Sequence, residues 1–222
     1  MPNRGGEKPP LRWVKIQNFL DYMLLHDKLK EYRLILASQS PRRRQLLADA
    51  GIEFVLAPRF ECDESFPSTM PADEVAEYLS GLKADAYPDT LDDKDILLTA
   101  DTVVIAGGKV LGKPKDRAEA VAMLEQLSGR EHQVVTGVSL SNALGRRSFS
   151  VLSRVKFRVL TLEEIEYYVD NYRPFDKAGS YGIQEWIGYV GIEGIEGSFY
   201  NVMGLPVQRV YCELKEFVGL VE

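Results

Sequence analysis

The sequence predicts an α/β protein, a mixed sheet flanked by helices, and three observations lead there. RLILA (33–37), a helix-patterned RRRQLLADA and IEFVLA (52–57) make a strand–loop–helix–strand unit, the usual opening of that class. Gly107-Gly108 folds the strand Asp95–Ala106 back onto KVLG as a β-hairpin. QVVTGVSLS and FSVLSRVKFRVL, joined around Leu144-Gly145, read as an antiparallel pair.

The remaining elements follow in chain order. Residues 1–11 are polar and rich in Pro and Gly, and read as a disordered tail. Trp13, Ile16, Leu20, Met23 and Leu24 recur at helical spacing, so 13–32 is expected as an amphipathic helix. The chain therefore divides into an N-terminal extension, 1–32, and a main body, 33–222. Ser40 is placed as N-cap and Pro41 as first residue of the next helix, which Gly51 ends in a left-handed conformation. Helices are expected at 71–87, at 116–127 ending at Ser128-Gly129, at 162–171, and from Pro206 to Phe217. The glycine-rich stretch 174–205 is expected to be irregular.

Composition narrows the function. The 222 residues carry a net charge of −6, without the overall basic balance of a nucleic-acid binder, so no nucleic-acid partner is expected. Any anionic ligand must be held by a local cluster of Lys and Arg. Cys62 and Cys212 form no CxxC and no disulfide framework, which suits a reducing compartment. With only His26 and His132, a bound metal is expected to be hard and carboxylate-held, such as Mg²⁺ or Mn²⁺, rather than zinc. No apolar run approaches the roughly 20 residues that span a bilayer, and no signal peptide is read, so a cytoplasmic location without membrane partners is expected.

Four segments offer chemistry. Ser38-Gln39-Ser40-Pro41-Arg42-Arg43-Arg44 lies between a strand and a helix N-terminus, where free N–H groups and the helix dipole favour an anion and guanidinium forks fit phosphate. The alternative is a capped helix with a solvated basic first turn, in which the arginines oppose the dipole. Asp101 interrupts a strand otherwise apolar on both sides, costly unless paired or metal-bound, and suited to accept a proton from water. The alternative is a solvent-facing strand end. Gly107 to Pro114 satisfies GxxxxGK but lacks the Ser or Thr and the strand–loop–helix context of a P-loop, leaving Lys113 as a point charge for phosphate. In Asp176 to Gln184, small residues allow close approach of backbone, Lys177 can meet a phosphate, and Gln184 offers both donor and acceptor to a base edge. The alternative is a glycine-rich surface loop. Lys83 reads as a solvated helix lysine and Asp92-Asp93-Asp95 as a solvated turn. These parts can neutralise a polyphosphate and deliver water to it, but do not choose among hydrolase, transferase and nucleotide binder.

ASQSPRR (37–43), ADTVV (100–104), GKP (112–114), SG (128–129), TGV (136–138), DKAGSYGIQ (176–184) and EGSFYNVMGLP (196–206) resemble, in order and spacing, the Maf family of nucleotide pyrophosphatases over residues 33–217. The resemblance implies a two-lobed Maf/ITPase-like α/β fold with a long mixed sheet, a central cleft and usually a homodimer. It also implies metal-dependent hydrolysis of a nucleoside triphosphate to monophosphate and pyrophosphate. It makes Asp101 the general base and places Ser38, Arg43, Lys83, Lys113 and Lys177 near the phosphates. It makes Glu64 a metal ligand together with Asp101, with Glu61 close by in the same loop. Arg42, Thr102 and Gln184 resemble the markers of the branch acting on dTTP and UTP, for which modified pyrimidine nucleotides also fit. The rival expectations are an inosine or xanthosine triphosphate pyrophosphatase and a non-catalytic nucleotide-binding regulator of cell division.

Overall fold

The computed structural model describes residues 23–220. The expected tail and most of the 13–32 helix lie outside them. The described chain opens with a short helix α1 (Leu25–Leu29), whose Leu25 and Leu29 are buried in the core while Leu24 is exposed.

A seven-stranded mixed sheet organises the fold. Its strands are β1 (Arg33–Leu36), β2 (Val55–Leu56), β3 (Asp95–Ala106), β4 (Lys109–Leu111), β5 (Glu131–Asn142), β6 (Gly145–Phe157) and β7 (Ile192–Glu196). The order is β2-β1-β3-β5-β6-β7, with β4 hairpinned onto β3. β1 runs parallel to β2 and β3, and the pairs from β3 onward are antiparallel. The mixed sheet is the one the sequence predicts. At the β3–β4 turn both Gly107 and Gly108 have positive φ, the backbone of a tight hairpin loop.

The helices are α2 (Pro41–Asp49), α3 (Val75–Asp85), α4 (Arg117–Leu127), α5 (Leu162–Tyr172), α6 (Trp186–Gly191), α7 (Phe199–Met203) and α8 (Val207–Phe217). Gly51 takes φ +69 beyond α2, as expected. Asp116 caps α4 through the Glu119 N–H, and Thr161 with Glu164 forms a capping box on α5.

Three expectations are corrected. The strand expected at 52–57 shrinks to Val55–Leu56, because Ile52 turns into the core and only two residues pair with β1. The stretch 174–205 is not irregular: it holds α6, β7 and α7. Asp95 is not in a solvated turn; only 3% of it is exposed, and Arg33 grips its carboxylate with two N–H···O bonds of 2.7 and 2.8 Å.

Strand alternation explains how the core is divided. On one face of β3, Ile96, Leu98 and Ala100 join a core with β1, α2 and α8, whereas Val104 and Ala106 join a second core with α4, α5 and α6. Thr102 falls between them on that face. On the other face Leu97 packs with Ile35, Ala57 and Ala84, while Val103 and Ile105 pack under the start of α3. Asp101 falls between these two. The ADT motif therefore interrupts both faces of the sheet at adjacent residues, where the hydrophobic packing changes from one cluster to the next.

Candidate active site

Asp101 and Thr102 line a cavity of about 730 Å³, a size suited to a small-molecule ligand. The same cavity is lined by Ser38, Arg42, Arg43, Glu64, Lys83, Lys113, Lys177 and Gln184. The structure thus brings together all ten residues singled out from the sequence.

On the Asp101 face, the Lys83 ammonium donates to Asp101 Oδ1 and lies 3.3 Å from Glu64 Oε1. Lys83 is largely buried, so its reading as a solvated helix lysine is corrected. A missing side chain helps to bring it there. Gly137 sits opposite Asp101 in the β3–β5 ladder, and a Cβ at that position would lie 2.3 Å from the backbone of Ala76 and Glu77. The start of α3 therefore rests directly on β5, and Lys83 follows two turns later.

On the Thr102 face, Arg43 acts as a rivet. Its Nε donates to Gly204 O at 2.7 Å, Nη1 to Ala100 O at 2.9 Å and Ser38 Oγ at 3.3 Å, and Nη2 to Thr102 Oγ1 at 3.0 Å. Four of its five N–H donors are thereby spent on protein. Desolvation lowers its pKa, opposed by the charge of Asp101, yet a guanidinium stays protonated. Thr102 Oγ1 also bonds Thr136 Oγ1 at 2.9 Å, across the β3–β5 ladder. The arginines of the first turn of α2 are thus explained largely by carbonyls: Arg42 Nε donates to Met203 O at 3.1 Å. Ser40 is extended at the N-cap, but its side chain makes no cap. Ser38 Oγ instead accepts from Ser40 N at 3.2 Å.

The third wall is the segment 176–185. Asp176 is shared between Arg42 Nη1 at 3.2 Å and Lys177 Nζ at 2.7 Å. Burial by itself would raise its carboxyl pKa, but the Lys177 hydrogen bond and the Arg42 charge bring it below the ordinary value. Lys177 is buried and also lies 3.1 Å from Glu185 Oε1. Gly179, at φ +66, packs against Val104, where a Cβ would come within 2.9 Å, and its N–H donates to Gly112 O, which fastens this segment to the GKP turn. Lys113 itself is exposed. Beneath the wall, His132 Nε2 and the Tyr181 hydroxyl are 2.7 Å apart, and burial lowers the His132 pKa to about 4. Gln184 Oε1 is buried with no hydrogen-bond partner. An orphaned acceptor of this kind costs about 1–3 kcal/mol unless a ligand supplies a donor.

Sequence reasoning missed three groups. Tyr168 and Glu185 have no motif of their own, and the accepting carbonyls of Met203 and Gly204 are backbone atoms that no residue type announces.

The donor set fits a hard cation. The Lys83 ammonium occupies the place between two carboxylates, Asp101 and Glu64, where a divalent ion would find oxygen ligands. Among the described residues no cluster of three or more His, Cys, Asp or Glu is arranged for a metal. A divalent ion at these two carboxylates would need phosphate oxygens and water to complete its shell, the usual habit of Mg²⁺.

Comparison with known proteins gives the family. The family model described as Maf-like protein matches residues 33–217. The chain is 52% identical over 188 residues to a protein of Bacteroides thetaiotaomicron, covering 85% of this chain and 97% of the relative. It is 53% identical over 193 residues to one of Porphyromonas gingivalis, with 86% and 97% covered. For one of Christiangramia forsetii the figures are 46% over 196 residues, with 88% and 100% covered. All three relatives are named dTTP/UTP pyrophosphatase. The chain belongs to the Maf-like protein family.

Proposed function

We propose that this protein hydrolyses dTTP and UTP to the nucleoside monophosphate and pyrophosphate, as the names of its relatives describe. The observation that carries the reading is one cavity lined both by the Asp101–Lys83–Glu64 cluster and by Gln184, whose amide oxygen is buried without a partner. The first suits phosphoryl chemistry. The second suits a ligand with a buried N–H donor, which the imide of thymine and uracil supplies.

In the proposed mechanism Asp101 and Glu64 are the residues that would hold Mg²⁺ or Mn²⁺. The bound ion supplies charge neutralisation to the phosphate oxygens. Lys83, Lys113 and Lys177 share that neutralisation, and Arg42 joins them at the cavity mouth. Asp101 takes a proton from the water that attacks the α-phosphorus. The bond from that phosphorus to the bridging oxygen breaks, and pyrophosphate leaves. Arg43 and Ser38 hold the β1–α2 loop in place, and Arg43 has one N–H left for a phosphate oxygen. Assembly as a homodimer is part of the same reading.

The test is a nucleotide panel of dTTP, UTP, CTP, 5-methyl-UTP, 7-methyl-GTP, ITP and ATP, each with and without Mg²⁺ or Mn²⁺, with products resolved by chromatography. Metal-dependent monophosphate and pyrophosphate from dTTP and UTP is the expected result. Preference for ITP or 7-methyl-GTP would sink the specificity assignment while leaving the chemistry. Absence of turnover on every nucleotide would sink both.

A further inference from the structure

Gln184 lies beside a carboxylate that the mechanism does not use. A Cβ built on Gly182 would lie 2.9 Å from Gln184 Nε2, 2.9 Å from Glu185 Cδ and 3.1 Å from Glu185 Oε2. The amide nitrogen of Gln184 and the carboxylate of Glu185 thus flank the space that any side chain at 182 would fill. Glu185 is itself held on three sides. The hydroxyl of the fully buried Tyr168 donates to Oε2, Lys177 Nζ sits 3.1 Å from Oε1, and Glu185 N donates to Gly182 O at 3.0 Å. The Tyr168 hydroxyl also accepts from Gly182 N at 3.0 Å, so the same phenol pins the turn and the carboxylate. Burial, reinforced by the Glu185 charge, raises the Tyr168 pKa, so its hydroxyl stays a donor.

A glutamine amide is nearly symmetric in shape and opposite in polarity at its two ends. Turned one way it accepts from the ring N–H of uracil or thymine and donates to a neighbouring carbonyl. Turned the other way it donates to the bare ring nitrogen of cytosine and accepts from its amino group. A fixed negative charge beside one end removes this freedom, because the NH₂ end is drawn toward it and the carbonyl end repelled. In the structure Nε2 and the Glu185 carboxylate both border the space beside Gly182, without a hydrogen bond between them, and Oε1 is buried without a donor.

We propose that Glu185 is a specificity-determining positioning residue: its carboxylate fixes the polarity of the Gln184 amide, so that the site takes imide-bearing pyrimidine triphosphates and disfavours the cytosine edge. The inference rests on the reading that Gln184 faces the base. Glu185 also lies against Lys177, so its loss weakens phosphate contacts too, but that loss is common to every triphosphate. The ratio between two bases isolates the amide.

The experiment measures kcat/KM for UTP and CTP in Glu185→Gln, Tyr168→Phe, Gln184→Ala and the parent, with the CTP inhibition constant where its turnover is too slow. The expected result is a UTP-to-CTP ratio about tenfold lower in Glu185→Gln, the worth of one hydrogen bond, and a smaller fall in Tyr168→Phe. If Gln184→Ala lowers the ratio and Glu185→Gln does not, the inference is overturned and base reading by Gln184 survives. If Gln184→Ala leaves the ratio unchanged, base reading falls and takes the inference with it. Should Glu185→Gln fail to give a cooperative melt, Tyr168→Phe decides: an unchanged ratio there overturns the proposal.

Discussion

On the wall built from β3 and the start of α2, polar groups are tied to the protein. On the wall built from 176–185, a buried amide oxygen has no donor and one aspartate is shared by two cations. The difference separates frame from reader. The Arg43 rivet joins the β1–α2 loop, β3 and the 203–204 turn before any ligand arrives, which is the preorganisation that electrostatic catalysis needs. On the proposed function, the 176–185 wall is the side that meets the ligand: a phosphate would draw Arg42 and Lys177 from Asp176, and an imide would supply a donor to Gln184.

Four measurements test this contrast. The largest effect is expected from Asp101→Asn, which keeps the shape of the β3 wall and removes the proton acceptor. Turnover of dTTP should fall on the order of 10²–10⁴, with the melting temperature little changed. Near-parental turnover in a folded variant would remove Asp101 from the chemistry. Next is Arg43→Lys, which keeps the charge and loses the fork. Several hydrogen bonds to carbonyls and hydroxyls go at once, and about 3 kcal/mol of stability with them, seen as a melting temperature lower by several degrees. A normal melt with weakened substrate binding would reverse the assignment of Arg43 from frame to reader.

The support under the reading wall is predicted to be acid-sensitive. Because burial holds the His132 pKa near 4, below its usual 6.5, the unfolded chain binds more protons between those values. Stability therefore falls as pH drops from about 6.5 to about 4, by at most about 3 kcal/mol. Denaturant melts across that range should show a shallower slope in His132→Gln, and equal slopes would refute the assignment. The smallest effect is expected at exposed Lys113, where Lys113→Gln should raise KM by a few-fold without changing the melt. A change in stability instead would make Lys113 a structural residue.

Legibility from sequence tracks how local the cause is. The Asp101–Thr102 break in an apolar strand announces a site because a carboxylate in such a run needs a partner, and the partner proves to be Lys83. Lys83 was invisible in its own helix, since nothing nearby in sequence shows that Gly137 lets α3 rest on β5. Asp95 looked solvated in an acidic run, because its partner Arg33 is 62 positions away. β7 was missed because Gly194 breaks the alternation of IEGIE and the strand pairs only with β6, across an irregular register. The guanidinium chemistry of 42–44 was legible as donor capacity, but its main acceptors, the carbonyls of residues 100, 203 and 204, are set by tertiary structure.

The ADT motif sits midway along β3, inside a ladder that continues unbroken on both sides of it, from Leu97↔Ser141 to Ile105↔Gln133. A beam of this kind twists under load but does not fold at its midpoint. Asp101 and Thr102 are therefore held at a fixed spacing between the two hydrophobic clusters of the sheet. Amide protons at these residues should exchange as slowly as those of the core, although they lie at the floor of an open cleft. On the proposed mechanism the proton acceptor Asp101 is then carried by continuous sheet, whereas Glu64 and Lys177 sit on the segments that flank the cavity.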